Sequence, residues 1–131
     1  MEQQVKKKTI LVAEDEESLL KAISSKLEKL NFTVLQATSV EEGMKHLQNN
    51  KVDAIWLDHY LLGKKNGLDL VLEIKQNKKT KPIPIFVVSN TCSSDKYQNY
   101  IEFGIERFFV KSDNSLESII NEIRSNLLGN T

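Results

Sequence analysis

Five polar residues of this 131-residue chain each end or follow a short apolar run, and their types could support phosphate chemistry. They are Glu14, Asp15, Asp58, Ser89 and Lys111. Three carboxylates near one point repel each other and favour a hard divalent cation with oxygen ligands, of which Mg²⁺ is typical. With that cation and a lysine nearby, a transferring phosphoryl group would be stabilised, and a carboxylate could be its nucleophile. Each residue alone is a common loop residue, so the prediction depends on the fold bringing them together.

Alternating strand and helix patterns predict the elements that would do so. Short apolar runs are typical of strands buried on both faces, and apolar residues three and four apart are typical of amphipathic helices. The predicted strands are 9–13, 32–35, 54–57, 84–88 and 107–110, and the helical stripes are 19–30, 40–47, 68–74, 97–101 and 116–127. Ser39 and Glu42 predict a capping box at the start of the second helix.

Five strand–helix units predict an α/β fold, a doubly wound five-stranded parallel sheet of the flavodoxin-like type with strand order 2-1-3-4-5. A closed eight-fold barrel would need about twice this length. Ligands of open α/β sheets bind at the carboxyl ends of the strands. In the predicted order strands one, three and four are neighbours and strand five lies beyond them, so the five polar residues would meet at one edge.

Composition narrows the class of protein. Hydrophobic residues make up 40% of the chain and charged residues 27%, which fits one globular domain over 8–128 with tails at 1–7 and 129–131. Basic and acidic residues number 18 each, and this balance disfavours direct binding to nucleic acid. The single Cys92 and the lack of an apolar signal segment predict a cytoplasmic protein, and no apolar run is long enough to span a membrane.

Four short motifs resemble the receiver domain of two-component response regulators, and the resemblance covers about residues 8–128. They are Ile10-Leu11-Val12-Ala13-Glu14-Asp15, Ile55-Trp56-Leu57-Asp58, Val87-Val88-Ser89 and Phe108-Phe109-Val110-Lys111. The resemblance implies a phosphoacceptor that catalyses its own phosphorylation and dephosphorylation and is not otherwise an enzyme. It implies two partners, a sensor histidine kinase or histidine phosphotransfer protein as donor and a downstream effector protein.

The resemblance also implies roles at the acidic residues. Asp58 would be the phosphorylated residue and a metal ligand. Asp15 would bind Mg²⁺ directly, Glu14 would reach it through water, and the backbone carbonyl of Tyr60 would supply a further ligand.

Three more positions gain a role from the same resemblance. Ser89 takes the place of the hydroxyl that turns toward the phosphoryl oxygens, and Lys111 that of the lysine that pairs with them. Phe108 takes the place of an aromatic rotamer switch, often a tyrosine in the family, but it has no phenolic hydroxyl.

The family's usual proline after the lysine is here Ser112, and a non-proline cis peptide costs ~2.5–4 kcal/mol. We therefore expect a trans peptide between Lys111 and Ser112.

The lifetime of the phosphorylated state depends in receivers on two side chains that flank the path of the attacking water. In this chain these are Tyr60 and Thr91. Tyr60 is large enough to cover the path, and Thr91 has no carboxylate or amide with which to orient a water. We expect slow hydrolysis.

The residues directly after the strands separate this function from others on the same fold. A flavin protein of this fold would need a Gly- and Ser/Thr-rich phosphate loop after strand one, where this chain has acidic residues 14–17. A Mg²⁺-dependent phosphohydrolase would carry its nucleophile after strand one, whereas Asp58 comes after strand three. A phosphorylation-independent, receiver-like protein-binding module stays open as the alternative. A free-standing receiver, a relay intermediate and a piece of a longer regulator also stay open.

Some residues attract attention but predict no site. His46 and His59 have no Cys or His at ligand spacing, so we expect both to be solvated. Tyr97 and Tyr100 are expected to be packing residues, and Cys92 an inert thiol.

Overall fold

The computed structural model describes residues 7–90 and 93–129. In these ranges five strands alternate with five α-helices, and a short 3₁₀ helix, Lys111–Asp113, precedes the last helix. The strands are β1 (Thr9–Ala13), β2 (Thr33–Ala37), β3 (Ala54–Leu57), β4 (Ile85–Ser89) and β5 (Arg107–Val110). The helices are α1 (Glu17–Lys29), α2 (Val40–Asn49), α3 (Gly67–Gln76), α4 (Ser94–Glu102) and α5 (Leu116–Leu128).

The strands form one parallel sheet in the order β2-β1-β3-β4-β5, which confirms the predicted topology. In the register, Ala13 of β1 lies opposite Leu57 of β3, and Leu57 lies opposite Val87 of β4. At the far side Ser89 pairs with Val110 of β5. The carboxyl ends of β1, β3, β4 and β5 therefore lie close together, as the site prediction requires.

The sheet separates two hydrophobic cores because successive side chains of a strand point to opposite faces. The core beneath α1 and α5 contains Trp56, Phe86 and Phe109. The core beneath α2, α3 and α4 contains Leu57 and Tyr100. Helices thus cover both faces of the sheet, and each strand that carries a polar residue at its end is held from both sides.

The main error in the strand prediction is at β2. It was predicted at 32–35 but runs from Thr33 to Ala37. β2 is an edge strand, so it tolerates the polar Gln36, whose Nε2 donates to the Ser24 hydroxyl at 2.9 Å. Phe32 precedes the strand and is buried in the core beneath α1 and α5.

The helix caps also differ in part from the prediction. Ser39 caps α2 as expected, and its hydroxyl accepts from the Glu42 N–H at 3.2 Å. The Glu42 carboxylate, however, accepts mainly from Thr38, from its N–H at 2.6 Å and its hydroxyl at 2.7 Å. A complete capping box, which the sequence analysis did not find, stands at α3, where Asn66 and Asp69 cap each other.

Several smaller expectations concern the connecting segments. The peptide bond between Lys111 and Ser112 is trans, as expected. Within 7–90 and 93–129 no helix is long and apolar enough to cross a membrane. The predicted tails, 1–7 and 129–131, lie outside the described residues apart from residues 7 and 129, and so do Thr91 and Cys92.

Candidate functional site

The carboxyl edge of the sheet brings the predicted polar residues together. Glu14 and Asp15 follow β1, and Asp58 follows β3. The Asp58 N–H donates to the Ala13 carbonyl at 2.9 Å. This hydrogen bond holds the backbone of Asp58 against the neighbouring strand β1. Ser89 is the last residue of β4.

Three carboxylates form a compact acidic cluster. Glu14, Asp15 and Asp58 each offer an oxygen atom, and these atoms all lie within 4.8 Å of one another. Glu14 and Asp58 are almost fully buried, whereas Asp15 is half-buried and open to solvent. An all-oxygen donor set with one exposed member fits a hard divalent cation such as Mg²⁺, which keeps part of its hydration shell.

Lys111 offsets part of this negative charge. Its Nζ lies 3.3 Å from Glu14 Oε1 and 3.5 Å from Asp58 Oδ2. The lysine follows β5, at the opposite side of the cluster from Asp15 in strand order. One ammonium therefore faces three carboxylates, and the cluster keeps a net negative charge that a divalent cation would neutralise.

The electrostatic strain is visible at Glu14. Burial and the nearby Asp58 charge raise the pKa of Glu14 from 4.5 to about 7, against the lowering effects of the Glu16 N–H and Lys111. The Glu16 N–H donates to Glu14 Oε2 at 3.1 Å. Near neutral pH the Glu14 carboxyl group is therefore partly protonated, which relieves repulsion within the cluster. A metal cation bound to the cluster would replace this proton.

Ser89 has a different environment. Its hydroxyl is fully buried and has no hydrogen-bond partner among the described residues. Buried hydroxyls are nearly always hydrogen-bonded, because an unpaired one costs free energy. At the end of β4, next to the strand that carries Asp58, an unpaired hydroxyl fits a ligand with oxygen acceptors.

Phe108 and Tyr60 lie at the rim of the site. Phe108 is half-buried, with ring centroids of Tyr97 at 5.6 Å and Tyr100 at 5.7 Å. The Tyr60 side chain is 52% exposed, and Lys96 Nζ lies 4.9 Å from the centroid of its ring. The metal ligand expected from Tyr60 is its backbone carbonyl, which stays a prediction, as does the slow hydrolysis expected from Tyr60 and Thr91.

Sequence reasoning missed a hydrogen bond beside Asp58. His59 Nδ1 lies 2.6 Å from the hydroxyl oxygen of Tyr100, which is fully buried. His59 and His46 are both half-buried, so the expectation that they are solvated holds only in part, and His46 Nε2 lies 2.8 Å from the Gln36 carbonyl oxygen. Burial raises the pKa of Tyr100 far above its usual range, and burial followed by the Lys96 charge lowers the pKa of His59. Both groups are thus neutral at neutral pH.

Gly67 is the second residue that the sequence analysis overlooked. A Cβ at this position would lie 2.7 Å from the Asp58 carbonyl oxygen and 2.7 Å from the Tyr100 hydroxyl. No side chain fits between them, so glycine allows the start of α3 to pack directly against Asp58. The preceding Asn66 cap is a sequence signal that could have located this helix start.

Comparison with known proteins identifies the class to which this fold and site belong. The model of the response regulator receiver domain matches residues 10–124. The chain belongs to the response regulator receiver domain family. It is 32% identical over 120 residues to the response regulator ArlR of Staphylococcus saprophyticus, covering 90% of this chain and 51% of ArlR. The chain spans about half the length of the curated relatives it matches.

Solved structures give the same family. The phosphorylated cyanobacterial phytochrome response regulator RcpA superposes with a TM-score of 0.85 at 25% identity, covering 96% of this chain and 97% of RcpA. The Mn²⁺-bound form of the response regulator Rcp1 gives 0.81 at 25% identity, covering 95% and 96%. The predicted fold class and family are confirmed.

Proposed function

We propose that Asp58 accepts a phosphoryl group in a Mg²⁺-dependent reaction and that the phosphorylated chain signals to another protein. The observation that carries this proposal is the cluster of three carboxylates within 4.8 Å, with Lys111 Nζ 3.5 Å from an Asp58 oxygen. This arrangement is unfavourable without ligands, because buried like charges repel, and becomes favourable when a cation and an anionic phosphoryl group are bound together.

The metal ligands would be side chains of the acidic cluster and one backbone carbonyl. Asp15 and Asp58 would bind Mg²⁺ directly, Glu14 through water, and Tyr60 through its carbonyl oxygen. When bound, the cation supplies positive charge to the oxygens of the transferring group. The Mn²⁺-bound form of the related response regulator Rcp1 supports binding of a divalent cation by this fold.

The side chains divide the phosphotransfer between them. An Asp58 oxygen would form the bond to phosphorus while the bond from phosphorus to the donor nitrogen breaks, with its electron pair left on that nitrogen. Lys111 would move its ammonium from the carboxylates toward a phosphoryl oxygen. The unpaired hydroxyl of Ser89 would donate to another, which would satisfy a buried group that has no partner within the described residues.

The donor would be a sensor histidine kinase or a histidine phosphotransfer protein, and a downstream effector protein would recognise the phosphorylated form. Membership of the receiver family supports both partners. The chain would catalyse only its own phosphorylation and dephosphorylation. Equal numbers of basic and acidic residues, 18 of each, support signalling through protein contacts without direct contact to nucleic acid.

Binding of fluoroberyllate, a mimic of the phosphoryl group, tests this proposal. Trp56 is the only tryptophan and lies two residues before Asp58, so its fluorescence is used as the probe of binding. We expect a saturable signal in the wild type with Mg²⁺, and none with EDTA or in Asp58→Asn. Binding that survives in Asp58→Asn, or that needs no Mg²⁺, would contradict the assignment. A wild type that binds kinase or effector equally with and without fluoroberyllate would favour the phosphorylation-independent module.

A further inference from the structure

Tyr100 connects α4 to the residue directly after the proposed acceptor. It is fully buried, and its hydroxyl oxygen lies 2.6 Å from Nδ1 of His59, which is adjacent to Asp58 in sequence. The two rings meet edge to face, with centroids 5.7 Å apart. His59 and Tyr100 are 41 residues apart in sequence, so this bond joins the β3–α3 loop to α4.

The same tyrosine also packs against Phe108. The two ring centroids are 5.7 Å apart and the rings are tilted by 56°. Phe108 is the residue at the aromatic switch position and has no hydroxyl with which to form a polar contact. Tyr100 supplies a phenolic hydroxyl next to it and directs that hydroxyl toward the acceptor loop.

The hydrogen bond is enclosed by backbone. The position a Cβ of Gly67 would take lies 2.7 Å from both the Tyr100 hydroxyl and the Asp58 carbonyl oxygen. The hydroxyl is thus held between His59, the start of α3 and the backbone of the acceptor. A displacement of the acceptor loop must either carry Tyr100 with it or break this bond, because the close packing leaves no room for independent movement.

We propose that the Tyr100 hydroxyl, through His59, is the polar link that transmits the state of Asp58 to α4. This inference rests on the proposed function, since it assumes that Asp58 binds a phosphoryl group or its mimic. Tyr100 is then a positioning residue. It supplies, from α4, the hydroxyl group that Phe108 of β5 lacks.

Hydrogen exchange of the α4 backbone amides at saturating fluoroberyllate and Mg²⁺ tests the link. Saturation is checked in each variant by Trp56 fluorescence. In the wild type we expect the ligand to change exchange rates across Ser94–Glu102. In Tyr100→Phe, which keeps the ring and removes only the hydroxyl, we expect that change to shrink by about twofold to tenfold, the factor that corresponds to one hydrogen bond. His59→Phe should give the same loss, and the double variant no more than either single change.

Tyr97→Phe is the matched control. It removes a phenolic hydroxyl from the same helix, at a residue that is 43% exposed and whose ring contacts Phe108. We expect its α4 response to equal that of the wild type.

The results that would overturn the link differ from the result that would contradict the proposed function. A wild-type response in Tyr100→Phe, or losses that add in the double variant, would overturn the link and leave Tyr100 as a packing residue. An α4 response that is reduced in Tyr97→Phe by as much as in Tyr100→Phe would also overturn the link. A wild type that binds no fluoroberyllate would contradict the proposed function itself and remove this inference with it.

Discussion

At the carboxyl edge of the sheet the buried Ser89 hydroxyl has no partner among the described residues, whereas at the amino edge the Thr80 hydroxyl and the Asp53 carboxylate are both hydrogen-bonded. There the buried Thr80 hydroxyl donates to the Ile74 carbonyl at 2.8 Å, and Asp53 accepts from the Thr9 N–H at 2.8 Å. The amino edge also has a cavity of about 480 Å³, lined by residues that precede β3 and β4. This cavity therefore lies away from the candidate site.

In this molecule the candidate site is marked by crowded carboxylates and an unpaired hydroxyl rather than by cavity volume. A polar group that is paired internally stabilises the fold and has little left to offer a ligand. The carboxyl edge instead holds three crowded carboxylates and a raised pKa at Glu14. Such groups are costly to keep and are typical of functional sites. Matched changes at the two edges test this interpretation.

Removal of the lysine at the carboxyl edge should have the largest effect. Lys111→Met removes the ammonium that lies 3.5 Å from the Asp58 oxygen. We expect phosphorylation by acetyl phosphate to slow by roughly 10²-fold, as for the loss of one group that stabilises developing charge. Lys79→Met, in the wall of the amino-edge cavity, should leave the rate unchanged. Equal rates for wild type and Lys111→Met would show that the lysine does not contribute to phosphorylation.

The two helix-associated glycines should respond in opposite ways. Gly67→Ala places a methyl group 2.7 Å from the Asp58 carbonyl oxygen, and we expect a loss of about 1–3 kcal/mol in unfolding free energy. In Gly43→Ala the nearest side-chain atom is a Leu70 methyl at 3.4 Å, which can move, and the helix gains about 0.5–1 kcal/mol of propensity. Urea unfolding measures both. A Gly67→Ala protein as stable as the wild type would show that the close approach is not needed.

Neutralising one aspartate at each edge should change stability with opposite signs. Without metal at about pH 8, Asp58→Asn relieves repulsion within the acidic cluster and should raise stability by about 1 kcal/mol. Asp53→Asn weakens a charged hydrogen bond to the Thr9 N–H and should lower stability by up to about 1 kcal/mol. Thermal unfolding in EDTA compares the two. Added Mg²⁺ should then stabilise the wild type in proportion to its binding and have little effect on Asp58→Asn.

The pH dependence of stability tests the charge state of Glu14. The pKa of Glu14 is raised from 4.5 to about 7 in the folded protein. Its stabilising proton is therefore fully bound below pH 4.5 and lost as the pH rises through about 7, so metal-free stability should fall across this range. Glu14→Gln should remove that fall.

Glu42 is the control, because its contribution to stability should change with pH in the opposite direction to that of Glu14. Hydrogen bonds from Thr38 lower the pKa of Glu42, so its contribution is present above the unfolded value of 4.5 and is lost on acidification. Glu42→Gln should therefore lose stability relative to the wild type at neutral pH and less so in acid. Parallel pH profiles for wild type and Glu14→Gln in EDTA would contradict the assigned pKa shift.

Much of the fold was predictable because strands that are buried on both faces are visible in the sequence as short apolar runs. The four-residue run 54–57 is fully buried, and a polar residue directly after it must lie at the strand end. The edge strand β2 was less predictable, since half of its surface faces solvent and polar residues such as Gln36 can occupy it.

The chemistry of the site was predictable for residues at strand ends and not for contacts between loops. Asp58 and Lys111 are located by the strands that precede them. The His59–Tyr100 bond joins residues 41 positions apart, and neither residue carries a local pattern that names the other. Helical spacing predicts only that Tyr100 is buried. Its partner depends on how α4 packs against the β3–α3 loop.

The chemical location of the phosphoryl group tests the proposed role of Asp58 most directly. The wild type is incubated with acetyl phosphate with and without Mg²⁺, the acyl phosphate is reduced with borohydride, and the modified residue is identified by mass spectrometry. We expect modification at Asp58, only with Mg²⁺, and none at Asp53. Modification that does not need Mg²⁺, or that occurs at another carboxylate while Asp58 stays unmodified, would contradict that role.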